Sequence, residues 1–474
     1  MTEIRAAGDF KLATAEIIGS TGTKVDITSN IVHINLFENI NTNAITGEIG
    51  IQDSAGFVSE LPIIGQEYLR LKLQTPSLRN ELDVIDFTEN VFIINTVQGR
   101  GEVGNSVSLY VLNFTSSEII KNQRTKVNGS VSGTYSDIVH QMLDRVDCQK
   151  RIYLEPTRGT KRIVCPDIRP FEVIRMALRS ASSAINDNFS PSYLFFENFK
   201  GFHFRSLASL YAQPISQEYT TFVAGGLVEK GVHNLQKEFS NILDYEIIDN
   251  SNSLYNATTG VYASKLLVHN IYSKSFQEYT YNYFDNFDDE KHITSYHEGN
   301  QFPIFSDVSI EKDGSRASDF PARTYLTSIS EGETDTNNTT LDGTEPFQAP
   351  DPQNTLQERS STVNQLDKGL VLNISTVGNT SVSAGDVVKL DIPITAAIKT
   401  QENRKNDRFY QGVFLVRAIS HEFDFSNKKH GTILTLVKDS LSEKLEGPKN
   451  QFEPKPETQS TCISEPEMLY PLGL

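Results

Sequence analysis

The sequence predicts an α+β chain, mainly β, in which two similar β-barrel-like domains accompany an α+β middle domain and an irregular acidic insert. Three observations carry this reading. Strands repeat across the chain: Val91-Phe92-Ile93-Ile94-Asn95-Thr96-Val97-Gln98 reads against Val413-Phe414-Leu415-Val416-Arg417-Ala418-Ile419-Ser420. A second pair follows, Leu109-Tyr110-Val111-Leu112 against Leu434-Thr435-Leu436-Val437, trailed by Ser117-Glu118 and Ser442-Glu443. A Gly-led strand precedes each copy, Gly65 to Leu73 and Gly385 to Ile392. The offset is 322 residues for the first pair and 325 for the second, a spacing that means two domains rather than a solenoid. Chance resemblance of apolar strands is the plain alternative, and three strands in one order outweigh it. The repeat's core would consist of Val91, Phe92, Ile93 and Val97 with Val413, Phe414, Leu415 and Ile419. The second observation is helical periodicity confined to 129–214, and the third a polar, acidic stretch at 286–365.

The elements follow in order. Residues 1–128 form the first β domain, where Val32-His33-Ile34-Asn35-Leu36 alternates as a strand with one wet face should. A Gly-rich turn at 98–105 joins the strands 91–97 and 107–112. In the middle domain, 129–214, Ile138, Val139, Met142, Leu143 and Val146 share one helical face behind the candidate caps Thr134 and Ser136. A second helix starts at Pro170, whose ring suits the first helical position. A hairpin pairs Tyr193–Phe196 with Phe202–Phe204. The second β domain is split into 215–285 and 366–446 by the acidic insert 286–365, where 329–353 has too few apolar residues to bury much surface and a short helix spans Leu356–Leu366. The tail, 447–474, holds five prolines and should run extended.

The net charge of −17 argues against a nucleic-acid groove, which needs clustered Lys and Arg. Residues 281–360 hold −11 of it, with 16 acids and 5 bases, so the acidic stretch is a separate object. Cys148, Cys165 and Cys462 show no close pair, against a disulfide scaffold or a Cys-based zinc site. The start lacks the apolar run of a signal peptide and no stretch is long and apolar enough to span a bilayer, so folding in a reducing cytoplasm is expected.

No motif carries catalysis. Gly99-Arg100-Gly101-Glu102-Val103-Gly104 fits a phosphate-binding glycine pattern, but such a site needs a helix after it, and a strand follows. His421-Glu422 lacks a second His four residues on, and His292 and His297, beside Asp288, Asp289 and Glu290, read as a solvated loop before a cation site. No nucleophile elbow or P-loop is present, and no enzyme, cofactor or metal is expected.

Order, rather than any one motif, carries a family likeness. Ser136-Asp137-Ile138-Val139-His140-Gln141-Met142-Leu143, Val164-Cys165-Pro166-Asp167-Ile168, the helix at 171–181 and Tyr193-Leu194-Phe195-Phe196 come in sequence. Ile374-Ser375-Thr376-Val377-Gly378-Asn379, Gly385-Asp386-Val387-Val388, Phe414-Leu415-Val416 and Ile419-Ser420-His421-Glu422-Phe423 follow. In this the chain resembles the baseplate central hub protein of T-even-type contractile-tailed phages, over most of its length outside 286–365 and 447–474. The resemblance implies two tube-like β domains per chain and a homotrimer that joins the hexameric tail tube to the trimeric spike, lines the central channel and meets the baseplate wedge proteins. It implies a structural protein of the virion tail, assembled in the host bacterial cytoplasm, with no sequence-specific nucleic-acid binding. A hub of a bacterial type VI-like system is the alternative, although no β-helical needle follows. A tail-associated cell-wall hydrolase is a third reading, but no segment is left over for its catalytic domain.

Overall fold

Alternating apolar and polar residues drive most of this chain into strands. In the computed structural model it is mainly β with short helices, an α+β protein as the sequence predicts. The structure describes residues 7–19, 22–54, 56–57, 63–75, 84–103, 107–185, 190–221, 228–229, 232–233, 235–250, 252–270, 274–307, 315–329, 353–394 and 407–444. Cys462, the tail 447–474 and nearly all of 329–353 lie outside these residues.

Among the described residues, seven strands make the first β half: β1 (Lys11–Ile18), β2 (Lys24–Asp26), β3 (Ile31–Asn39), β4 (Thr46–Asp53), β5 (Tyr68–Gln74), β6 (Ile85–Val103) and β7 (Val107–Ser116). They pair antiparallel in the order β3-β4-β7-β6-β5-β1-β2. Every second residue turns inward, so Ile34, Leu36, Ile49, Leu69, Leu71, Phe92, Ile94, Leu112 and Phe114 build one core. Phe92 anchors it, with its ring 4.1 Å from Phe87 and 4.9 Å from Phe114. Burying such a ring stabilises the fold by roughly 1.5–3 kcal/mol. The expected turn at 98–105 begins later, because β6 continues to Val103; Gly99, at φ +64°, absorbs an irregularity that lets the ladder run on.

The middle unit places α1 (Ser117–Arg124), β8 (Val127–Gly133), α2 (Tyr135–Arg145), β9 (Ile152–Leu154), β10 (Lys161–Ile168), α3 (Pro170–Leu178), β11 (Tyr193–Asn198), β12 (Gly201–Ser206) and α4 (Leu207–Tyr211) around its own core. Thr134 caps α2: the Asp137 amide donates to Thr134 Oγ1 at 3.2 Å, and the Thr134 amide donates to Asp137 Oδ2 at 3.1 Å.

The second β half uses β13 (Ile215–Thr220) and, after the short hairpin of β14 (Val228–Glu229) and β15 (Val232–His233), β16 (Ile242–Asn250). The chain then builds a separate three-stranded sheet from β17 (Ala263–Asn270), β18 (Ser275–Asn282) and β20 (Arg323–Ile329), with the two-residue β19 (Phe302–Pro303) between. It returns through a helical run, Gln353–Glu358 and Arg359–Lys368, to β21 (Leu370–Val377), β22 (Val387–Asp391), β23 (Gly412–Asp424), β24 (Lys429–Lys438) and β25 (Ser440–Leu441). The order is β16-β21-β24-β23-β22-β13. β17 and β18 fall in the segment that the sequence assigns to the second β domain, yet they pair with each other, and β17 pairs on its other side with β20 of the expected insert. Periodicity marks a strand without naming its partner.

Candidate assembly surface

The residues singled out by the repeat occupy matching strands. Val91, Phe92, Ile93 and Val97 lie on β6; Val413, Phe414, Leu415 and Ile419 lie on β23. Phe92, Val413, Phe414, Leu415 and Ile419 are buried, while Val91, Ile93 and Val97 are half-buried. The flanking pairs differ from the sequence alignment. β6 pairs Val97 with Leu112, and β23 pairs Ile419 with Leu434, so the second strand follows the offset of the first and not one three residues longer. Ser117 opens α1, whereas Ser442 sits in a bend, so the Ser-Glu match is one of letters only. Two apolar alternating strands can be aligned in several registers, and only their ladders select one.

Two bulges coincide between the halves. On β6, Ile94 pairs with Phe114 and Thr96 with Asn113, leaving Asn95 extra. On β23, Val416 pairs with Leu436 and Ala418 with Thr435, leaving Arg417 extra. On β3, Val32 is extra between Ile31 and His33; on β16, Leu243 is extra between Ile242 and Asp244. A bulge bends its strand at one place, so matched bulges give matched shapes. The neighbouring strand also leaves at the same point, where the Ile94 amide donates to Glu67 O (2.9 Å) and the Val416 amide to Asp386 O (2.8 Å). One position differs: β1 runs antiparallel to β5, whereas β13 runs parallel to β22.

Beyond its bulge β23 changes partner. Ala418 to Asp424 pair antiparallel with β3, from Asn39 to His33, and this ladder makes one sheet of the two β halves. The equivalents of both joining strands are open among the described residues. Past Ile93, β6 has β7 on one side and no strand on the other, and its residues 98–102 are exposed. Among the described residues β16 pairs with β21 on one side, and on the other only Asn241, just before it, bridges Thr220 of β13. The ladders match Ile34 and Leu36 of β3 with Tyr245 and Ile247 of β16. The first two are 0 % exposed, the second two 38 % and 41 %, with Leu243 and Ile248 exposed beside them.

Buried polar groups fasten the middle unit at this junction. The Glu38 carboxyl on β3 accepts from the amides of Phe199, at the β11–β12 turn, and of Ala384, before β22 (2.8 Å). Burial pushes it up to about 8, against those two hydrogen bonds and the nearby Lys200 ammonium. Lys200 itself bridges Asp386 at 2.7 Å. Lys150 sits between Glu118 (2.7 Å) and Glu197 (2.5 Å), all three shut off from water. Burial opposes the Lys150 charge, but Glu197 and then Glu118 outweigh it and hold its pKa up. With two carboxylates sharing one ammonium, burial pushes the Glu197 carboxyl up. His421 and His430 face one another across β23 and β24, ring nitrogens 3.1 Å apart, with His430 stacked on Phe423 and edge-on to Phe10, and Phe199 tilted against His421. Burial drives His421 down to about 3 and His430 well below its ordinary value.

His292, expected in a solvated loop, is buried. Its Nδ1 meets Asp439 Oδ2 at 3.0 Å, and its Nε2 donates to Phe287 O at 2.9 Å. Burial opposes its charge, but Asp439 and Glu290 outweigh burial and raise its pKa. Asp439, far along the chain, is the main partner that allows the imidazole to be buried, and Glu290 of the acid-rich neighbourhood adds to it. His297 likewise contacts Tyr211 O at 2.7 Å rather than a ligand set. Among the described residues, no three His, Cys, Asp or Glu side chains are grouped to hold a metal. No helix among them is long and apolar enough to cross a membrane.

No protein-family model matches the sequence. No curated protein matches it either. Solved structures do align with the chain at low identity. A tail protein from Neisseria meningitidis MC58 is 9 % identical with a TM-score of 0.49, over 91 % of this chain and 97 % of its own. The 43 kDa tail protein of prophage MuSo2 from Shewanella oneidensis is 8 % identical with a TM-score of 0.44, over 90 % and 98 %. An E. coli type VI secretion component, described as structurally similar to T4 bacteriophage tail proteins, is 9 % identical with a TM-score of 0.39, over 93 % and 79 %.

Proposed function

We propose that the chain is a structural hub of a contractile tail baseplate, with no enzymatic activity of its own. Three copies would set six similar β units around a channel and join a hexameric tail tube to a trimeric spike, with wedge proteins outside. The observation that carries this reading is the β23·β3 ladder between two β halves of matching strand order and matching bulges. Such halves point to internal duplication. A chain that joins two like units edge to edge has the means to join more of them, and head-to-tail contacts close into rings when their rotation allows. The collinear resemblance of the sequence to the T-even hub proteins supports the same reading and supplies the number three. The place of action would be the virion tail, after assembly in the host bacterial cytoplasm. Sedimentation equilibrium with electron microscopy tests it: the expected particle has the mass of three chains, a central hole and near-sixfold symmetry. A stable dimer or a hexamer of chains, with and without a trimeric spike present, would exclude it.

A further inference from the structure

We infer that the distal half of β6, Thr96–Glu102, pairs as an antiparallel strand with the open edge of β16 in a second copy of this chain. The inference rests on the ring reading above and names the contact that would close the ring.

The argument transfers one observed ladder to its equivalent strands. β23 past its bulge takes β3 as partner, and β3 is the strand beyond β4 in the first half. β6 past its own bulge is the equivalent of the first, and β16, the strand beyond β21, is the equivalent of the second. Among the described residues both edges are open, β6 from Thr96 onward and β16 beyond the Thr220–Asn241 bridge at its start, so a second copy can supply the missing partner of each. An open strand exposes unpaired N–H and C=O groups and is a ready partner for another chain unless charge or proline guards it. β16 lacks proline, and although it carries the acids Asp244, Glu246 and Asp249, the apolar side chains of Leu243, Tyr245, Ile247 and Ile248 are exposed on it. In the first half the same positions are closed: Ile34 and Leu36 are fully buried beneath the β23 ladder. A second copy is therefore the occupant that this geometry fits, because it alone carries an edge already shaped like β23.

The transferred register is specific. His421 pairs with Leu36 and Glu422 with Asn35. The equivalent residues set the Gly99–Arg100 irregularity opposite Ile247 and Gly101 opposite Glu246. Arg100 then lies opposite Ile247 and Glu102 opposite Tyr245. Backbone bonds would supply affinity, and the Tyr245 and Ile247 side chains would be covered as Ile34 and Leu36 are.

The test combines cross-linking with an edge block. A full-length Gly101→Cys, Glu246→Cys variant is oxidised, and each single-cysteine variant controls for Cys148, Cys165 and Cys462. Cross-linked trimer on a non-reducing gel, absent from both controls, is the expected result. A Tyr245→Lys, Ile247→Lys variant should become monomeric with unchanged circular dichroism, since both side chains are exposed in the single chain. If the wild type is a trimer while the double-cysteine variant gives no cross-link and the two lysines leave the trimer intact, this junction is overturned and the ring reading stands. A wild-type chain that stays monomeric even with a trimeric spike present, with no cross-link in the double-cysteine variant, overturns both.

Discussion

Asn95 and Arg417 are the extra residues of two bulges that sit at the same point of β6 and β23, each followed by an exchange or loss of the neighbouring strand. At Arg417 the exchange is visible: its carbonyl accepts from the Ile40 amide at 2.9 Å, and the β3 ladder begins one residue later. At Asn95 no second strand follows among the described residues. The difference between these two positions is what makes one half look finished and the other open.

Phe92 and Phe414 should be equally expensive to truncate. Both are 0 % exposed, at equivalent places in their sheets. Phe92→Ala and Phe414→Ala should each cost about 3–5 kcal/mol. Urea melts of the two variants check this, and a midpoint unmoved by either would mean that the site relaxes around the cavity.

Lys150→Met should be nearly as damaging without any cavity. It leaves Glu118 and Glu197 buried with no cation between them. Breaking a buried ion pair by removing one partner costs about 3–5 kcal/mol. The triple change that also converts both glutamates to Gln should recover much of the loss, and failure to recover would point to packing of the Lys150 stem instead.

Acid should weaken the β23–β24 pair through its histidines. His421 is held at about 3 against an ordinary 6.5, and His430 is also lowered, so the unfolded chain binds these protons first. Their contribution is therefore fully present above pH 6.5 and is lost as pH falls from there towards 3. Melting temperature followed across that range should drop less in a His421→Gln variant, relative to its own value at pH 7.5, than in the wild type. Parallel curves would remove the pair as a cause.

Glu38 should act in the opposite sense. Its folded value of about 8 lies above the ordinary 4.5, so its contribution is fully present below pH 4.5 and is lost as pH rises from 4.5 to 8. Glu38→Gln should abolish that limb while lowering stability at pH 4, where one amide would face the wrong side-chain atom. Denaturation midpoints at pH 4, 6 and 8 decide it; a variant that keeps the wild-type slope contradicts the assignment.

Replacing 331–352 with a short Gly/Ser linker should leave folding and trimer formation intact. The flanking elements hold themselves: β20 pairs with β17, and Gln357 Nε2 donates to Ser264 O at 3.0 Å. Changing a loop's length alters closure entropy only slowly. Aggregation of the variant would show that the excised residues belong to a core.

Much of this architecture was legible because period-2 and period-3.6 patterns report burial directly. The helix behind Thr134, the helix from Pro170 and the hairpin at 193–206 could be read residue by residue, since their signals are local caps, turns and faces. The likeness of Val91–Gln98 to Val413–Ser420 could be read as well, because Phe92 and Phe414 answer the same demand for an inward ring. The register of the following strand could not. Leu112 against Leu434 and Leu109 against Leu434 look alike as letters, and only ladder hydrogen bonds separate them.

His292 and the junction acids mark the other limit. Whether a titratable side chain is solvated depends on partners distant in sequence, such as Asp439 for His292 and Ala384 for Glu38. The sequence by itself determined which segments become strands and helices and that two of its strand sets are alike, because apolar periodicity and local capping act over a few residues. Only the tertiary structure decided which strands join, that β23 passes from β22 to β3 and that, among the described residues, β16 keeps an open edge, because backbone pairing is common to all residues and is allotted by the geometry of the whole sheet.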